Sequence, residues 1–193
     1  MQEDNIQKAI ACIKNEEVVG IPTETVYGIG VDPLSQVAVD KIFNLKERDE
    51  NKPLSILVHS FHDLIKLKII SKVPEIVELY WPGPLTIIVE SELNFADGVG
   101  TKNPNSIGIR VPDNELALEL LKKTGPLAVT SANISGQEDI TNEKDAESVF
   151  GNKIGHYLRG SALHGSGSTI VEFRDEEFKV IREGRLKWPP SYC

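Results

Sequence analysis

Short apolar runs that stop at a breaker recur along this chain, and they constrain its fold more than any other feature. Residues 18–21 form one and stop at Pro22; 54–58, 85–89, 107–111 and 127–130 are others, the last running into Ser131. Runs of this length, rich in Val, Ile and Leu, read as strands. Between them lie segments with helical spacing. Ile6, Ala9, Ile10 and Ile13 share a face, with Asn5 as a candidate cap. Ser35 would cap a helix carrying Val39, Ile42 and Phe43. Leu64, Leu67 and Ile70 predict another helix, as do Ile76, Val77 and Tyr80 before the Trp81-Pro82-Gly83-Pro84 stop. Leu116, Leu120 and Leu121 mark a further one, ended by Gly125-Pro126. Residues 169–173 and 178–181 predict a hairpin around Arg174, Asp175, Glu176 and Glu177. Strands alternate with helices but also come in pairs, which favours an α/β (α+β) domain with a mixed sheet.

A chain of 193 residues is enough for one domain with a substantial core. No apolar run approaches the ~20 residues needed to span a bilayer, and the polar N-terminus has no signal-peptide core. A cytoplasmic, membrane-free location is therefore expected. The formal net charge of -8 argues against a broad nonspecific nucleic-acid surface but not against a local basic patch. Cys12 and Cys193 make no disulfide framework or metal spacing. Cys12 is expected on a helix face as a small hydrophobe, and Cys193 at a mobile chain end. His59, His62, His156 and His164 are scattered, so no protein-held metal is expected. There is no P-loop, HExxH, CxxC or G-x-S-x-G, and Pro33 stands where a third glycine would complete Gly28 and Gly30 as a Rossmann loop.

Four polar stretches remain. Thr23-Glu24-Thr25-Val26-Tyr27-Gly28 follows a strand and suits either a polar ligand or a turn held by Thr side chains. Lys46, Arg48 and Lys52, interleaved with Glu47, Asp49 and Glu50, read either as a solvated charged face or as a phosphate clamp. Pro53 biases Lys52 away from helix and starts the next strand. Thr130-Ser131-Ala132-Asn133-Ile134-Ser135-Gly136 would offer a hydroxyl and an amide to one ligand, or cap a helix or turn. Gly165-Ser166-Gly167-Ser168-Thr169, with Ile181-Arg182-Glu183-Gly184, is a hydroxyl loop feeding a strand whose returning partner ends in arginine, or simply a hairpin.

Six pieces in order, Pro-Thr-Glu-Thr-Val-Tyr-Gly at 22–28, Lys-x-Arg-x-x-x-Lys-Pro-Leu at 46–54, Ile109-Arg110-Val111-Pro112, Thr-Ser-Ala-Asn-Ile-Ser-Gly at 130–136, Ser-Thr-Ile-Val-Glu at 168–172 and Ile-Arg-Glu-Gly at 181–184, resemble the YrdC-like family of threonylcarbamoyl-AMP synthases in its short, single-domain form. The resemblance covers residues 18–184 and implies a catalytic domain over 1–185 with a tail at 186–193. It implies a twisted mixed sheet with surrounding helices and a large concave cavity. It implies formation of threonylcarbamoyl-AMP and pyrophosphate from L-threonine, bicarbonate (or CO2) and ATP, with Mg2+ arriving on the nucleotide. Transfer enzymes would then pass the threonylcarbamoyl group to tRNA.

By position, the resemblance puts Thr25, His59, Arg110, Ser168 and the backbone of Val129 around threonine. Arg48, Lys52, Ser106, Ser131, Asn133, Asp139 and Arg182 would bind ATP, with Lys46 beside the phosphates and Lys46 and Arg48 carrying catalysis. Relatives vary at Asp139. Glu172 stands where many relatives have Asp, and Tyr157-Leu158-Arg159 also departs from the usual residues. Neither reading of the residues names a general base. Two other functions stay open: an RNA-binding or ribosome-maturation factor using the same concavity, and a paralogue making another acyl- or carbamoyl-adenylate.

Overall fold

The computed structural model describes residues 2–102, 105–163 and 165–188. The apolar runs become β1 (Val19–Pro22), β3 (Ser55–Leu57), β4 (Leu85–Glu90), β6 (Asn105–Arg110) and β7 (Leu127–Ser131). The expected hairpin is β9 (Thr169–Arg174) and β10 (Glu177–Arg182), turning through Asp175 and Glu176, both at positive φ. Three strands were not expected from the sequence: β2 (Tyr27–Val31), β5 (Thr101–Lys102) and β8 (His156–Tyr157). The sheet runs β10-β9-β4-β6-β3-β7-β2-β1-β8, with β5 on β6. Parallel pairs (β4 with β9, β3 with β6, β1 with β8) mix with antiparallel ones.

One cross-strand row shows why this register holds. Val171, Ile87, Ile109, Ile56, Ala128 and Val31 are paired neighbours across six strands, and all are fully buried. Burying each large aliphatic side chain contributes roughly 1.5–3 kcal/mol, and a one-residue slip would turn the whole row to the other face.

Helices cover the sheet. In α1 (Gln2–Lys14), Ile6, Ala9 and Ile13 are buried against Ala117, Leu120 and Leu121 of α4 (Glu115–Thr124). The Asn114 side chain caps α4 by accepting from Ala117 N, and Gly125 ends it at positive φ. Ser35 caps α2 (Gln36–Lys46) as expected. The expected helix through Leu64, Leu67 and Ile70 is cut to a single turn, α3 (Asp63–Lys66), followed by a 3-10 turn at Ile70–Lys72. Lys68 at φ 56 breaks the helical path there. Glu75–Tyr80 is also 3-10 rather than α, between Pro74 and Pro82. Asn5 does not cap α1, which starts at Gln2; its Oδ1 lies 2.6 Å from His156 Nε2. A helix missed in the sequence, α5 (Glu143–Phe150), is capped by Asn142 and buries Ala146 and Phe150.

Cys12 is partly buried on α1, and burial followed by Glu17 pushes its thiol up to about 11, so it is not a poised nucleophile. The tail packs back as far as it is described: Trp188 lies 5.5 Å from Tyr80 and 5.0 Å from Phe178. His164 and Cys193 lie outside the described residues. No helix among the described residues is long and apolar enough to cross a membrane.

Candidate functional site

Side chains alternate across a strand, so the residues flanking the buried row face the other way. Ser55, Leu57, Thr86, Arg110, Val129 and Ile170 neighbour the row in sequence, and all six line a single cavity of about 210 Å³. That is several times the ~30 Å³ share of one water. Two glycines keep the floor open. A Cβ at Gly28 would come within 3.1 Å of Val129 Cγ1 and Thr130 O, and one at Gly108 within 2.8 Å of Ser55 Oγ. The pair Gly28 and Gly30 is thus a packing feature of β2.

Arg182 reaches the cavity because of an irregularity. Val180 pairs with Val171, but Arg182 rather than Ile181 pairs with Ile170. This bulge turns the arginine to the cavity face.

At one end of the cavity Arg110 is 6% exposed. Its Nε donates to Gly83 O and its Nη1 to Thr25 Oγ1, both at 3.0 Å. Its Nη2 lies 2.6 Å from Glu24 Oε1, an ion pair outside hydrogen-bond alignment. Glu24, 4% exposed, also accepts from Asp113 N at 3.1 Å. Burial first, and the like charge of Arg182 among lesser causes, hold Arg110 below the ordinary arginine value while Glu24 opposes. A guanidinium stays protonated regardless. Thr23 folds the preceding loop, with Oγ1 donating to Val26 O at 2.7 Å and lying 3.0 Å from Thr25 Oγ1.

At the other end, Arg48 and Arg182 lean on backbone carbonyls. Arg48 Nε donates to Lys52 O at 2.6 Å and Nη2 to Pro53 O at 3.2 Å. Arg182 Nη2 donates to Ser168 O at 2.8 Å. Burial, then the charge of Arg182, lowers the Arg48 pKa. Asp139 is the one carboxylate among the described lining residues, against three guanidiniums.

Lys46 sits behind the wall, 1% exposed at the last turn of α2. Its ammonium donates to Ser131 O at 2.5 Å, to Asn133 O, and to Asn133 Oδ1 at 3.3 Å. Burial and then Arg48 push it down to about 8, with Asp139 opposing. Ser131 Oγ donates to Asn133 Oδ1 at 2.5 Å, and Asn133 Nδ2 donates to Gln137 O at 2.8 Å.

Of the residues singled out in the sequence, Thr25, Arg48, Arg110, Val129, Ser131, Asp139, Ser168 and Arg182 line the cavity. Lys46 and Asn133 are buried behind it. Lys52 is exposed and Ser106 is buried with its hydroxyl 2.8 Å from Thr101 Oγ1. His59 Nδ1 lies 3.0 Å from Leu118 O. None of these last five is among the lining residues. Sequence reasoning passed over Thr23, Ser55 and Thr86 as cavity residues and Glu24 as the partner of Arg110. Thr23 and Glu24 lay inside a stretch already singled out; Ser55 and Thr86 are lone hydroxyls in apolar strands with no motif around them.

A larger groove beside α1, α5 and β8 is lined by Asp4, Glu17, Glu115, Glu143 and Glu147 against Lys8 and Arg159, the wrong sign for an anion. The cationic cavity is therefore the candidate site.

A threonylcarbamoyl-AMP synthase of Pyrococcus abyssi is 34% identical over 192 residues, covering 96% of this chain and 56% of the relative. One from Vibrio vulnificus is 30% identical over 186 residues, covering 93% of this chain and 98% of the relative. The crystal structure of P. abyssi Sua5 complexed with L-threonine superposes with a TM-score of 0.79 at 33% identity, covering 93% of this chain and 54% of that one. The family model Sua5/YciO/YrdC, described as "Telomere recombination", matches residues 11–184. With that match over most of its length and the mixed sheet described above, the chain belongs to the Sua5/YciO/YrdC family.

Proposed function

We propose that this chain is a threonylcarbamoyl-AMP synthase, a nucleotidyltransferase acting on L-threonine, bicarbonate (or CO2) and ATP. The observation that carries the reading is the division of the cavity into a buried arginine ion-paired to a carboxylate at one end and two arginines held by backbone carbonyls at the other, where Asp139 and Asp49 offset their charge only in part. A small zwitterion and a polyphosphate need those two environments. The names of the relatives above support the same substrate class.

In this reading Arg110 and Thr25 hold the threonine carboxylate and Val129 lends backbone to the amine side. The amine adds to bicarbonate, giving an N-carboxylate and water. An oxygen of that carboxylate attacks the α-phosphorus of ATP in line, and pyrophosphate leaves. Two anions must meet, so the main task is charge neutralisation and positioning. One phosphate–cation contact at ~4 Å is worth roughly 4 kcal/mol at an effective dielectric of about 20. Arg48 and Arg182 supply that contact. Lys52, an exposed cation outside the cavity lining, would meet the outer phosphates in this reading. Lys46 acts from behind, fixing the Ser131–Asn133 wall and adding its charge.

No three carboxylate, imidazole or thiol groups converge among the described residues. In this reading Mg2+ arrives with ATP, held by phosphate and water. The product would pass in the cytoplasm to enzymes that modify tRNA.

The test is pyrophosphate release with ATP, L-threonine and bicarbonate, each omitted in turn, with serine as control. Release that needs all three and prefers threonine is expected. Release indifferent to threonine would assign the cavity to another acyl- or carbamoyl-adenylate, and no release with no ATP binding would overturn the enzyme reading.

A further inference from the structure

The cavity face carries a second cross-strand row. Thr86 of β4 pairs with Ile170 of β9, and Ile170 pairs with Arg182 of β10. On the other side of Thr86, the pairing of Ile87 with Ile109 sets Arg110 beside it on the same face. The order across the sheet is Arg110, Thr86, Ile170, Arg182. Three strand spacings of ~4.8 Å separate the two arginine positions by about 14 Å, with Thr86 between them. Ser168, two residues before Ile170, shares this face. Its Oγ lies 2.8 Å from Thr86 Oγ1 and 3.5 Å from Arg182 Nη2. Thr86 is 3% exposed and Ser168 is also buried. The arrangement is pinned: Arg182 Nη2 holds the Ser168 carbonyl, and Gly167 leaves room where a Cβ would meet that nitrogen at 2.9 Å.

We infer that the Thr86–Ser168 hydroxyl pair, backed by Arg182, is the seat of a small trigonal oxyanion: bicarbonate first, and then the N-carboxylate it becomes. This rests on the synthase reading and deepens it. If threonine is held at Arg110 and the phosphates at Arg48 and Arg182, the one-carbon unit has to lie between them, over Thr86. The two hydroxyls share one hydrogen bond, in which either can be the donor. With an oxyanion present both protons turn toward it, and Arg182 supplies the charge. That set of two neutral donors and one planar cation suits a planar monoanion. The step balances: the neutral amine and bicarbonate give the N-carboxylate and water, the new N–C bond replacing a C–O bond of bicarbonate, with one amine proton leaving on the departing oxygen.

The experiment compares wild type with Thr86→Val and Thr86→Ser in carbonate-depleted buffer. The bicarbonate concentration for half-maximal pyrophosphate release is read by titration, and threonine and ATP affinities by calorimetry. Thr86→Val is expected to raise the bicarbonate requirement roughly tenfold or more, as loss of a hydrogen bond to a charged partner should. Its threonine and ATP affinities should stay within about twofold, a bound set by the remaining contacts at each end. Thr86→Ser, which keeps the hydroxyl, should stay near wild type. An unchanged bicarbonate requirement in Thr86→Val, or an equal loss for all three substrates, overturns the subsite. Wild-type release that ignores bicarbonate would instead overturn the synthase reading beneath it.

Discussion

Arg110 has three protein partners, one of them the buried carboxylate of Glu24, whereas Arg48 and Arg182 rest on backbone carbonyls, with their charge offset only in part by Asp49 and Asp139. The two ends of one cavity therefore present different electrostatics. At the Arg110 end the formal charge is balanced before any ligand enters, so a ligand carboxylate gains geometry and hydrogen bonds more than net attraction. At the Arg48–Arg182 end the field is open and suits an anion that brings several charges. Desolvation explains the division. A deeply buried guanidinium needs a counter-charge, while one nearer solvent does not.

Glu24→Gln breaks the balanced end most directly. It leaves Arg110 buried without a counterion and should cost about 3–5 kcal/mol in urea unfolding. Lys8→Ala, which breaks the exposed 3.1 Å pair with Asp4, should cost under about 1 kcal/mol. Equal costs would mean that burial does not distinguish the two pairs.

Arg48→Ala attacks the open end. Turnover should fall on the order of 100-fold or more with unfolding unchanged; near wild-type turnover would remove Arg48 from the clamp. Arg110→Ala should raise the threonine requirement by roughly tenfold or more and leave the ATP requirement alone. A matching rise in the ATP requirement would show that the ends are not separable.

A pH profile sharpens the contrast further. Lys46 is pushed down to about 8, and a base loses its charge as pH rises through its pKa. Turnover should therefore decline above pH 8, while threonine affinity, carried by arginine, should not follow it. Turnover flat to high pH would show that the Lys46 charge is not used. The smallest expected effect is that of salt. Raising it to about 0.5 M should weaken ATP binding severalfold and threonine binding by less than about twofold, because buried pairs are screened least. Comparable losses would contradict the burial contrast.

The strands with unbroken apolar runs were legible, because their composition and breakers agree with their burial. β2 was not: Gly28 closed a polar stretch that suited a ligand or a turn, and only the closeness of Val129 and Ile21 explains glycine inside a central strand. α5 was missed because its buried side is only Ala146 and Phe150 in an otherwise polar stretch. The segment around Lys68 misled because the spacing of Leu64, Leu67 and Ile70 carries no sign of a positive φ. At the site, Arg48, Arg110, Arg182 and Ser168 stood out as polar residues at strand ends or in short motifs, and they do converge. Thr86 could not stand out, since one hydroxyl in an apolar strand looks like any tolerated core threonine.

By itself, the sequence determined the mixed strand–helix class and the family resemblance. It also determined the polar stretches from which the cavity is built, because local composition and order carry that information. Only the tertiary structure decided which cations meet and how each is balanced. The pairing of Glu24 with Arg110 depends on a loop packing against β6 from 86 positions away, since 110 − 24 = 86. The turn of Arg182 into the cavity depends on a one-residue bulge in β10. The withdrawal of Lys46 behind the wall depends on carbonyls far along the chain. Register and desolvation are properties of the assembled sheet, and no single segment contains them.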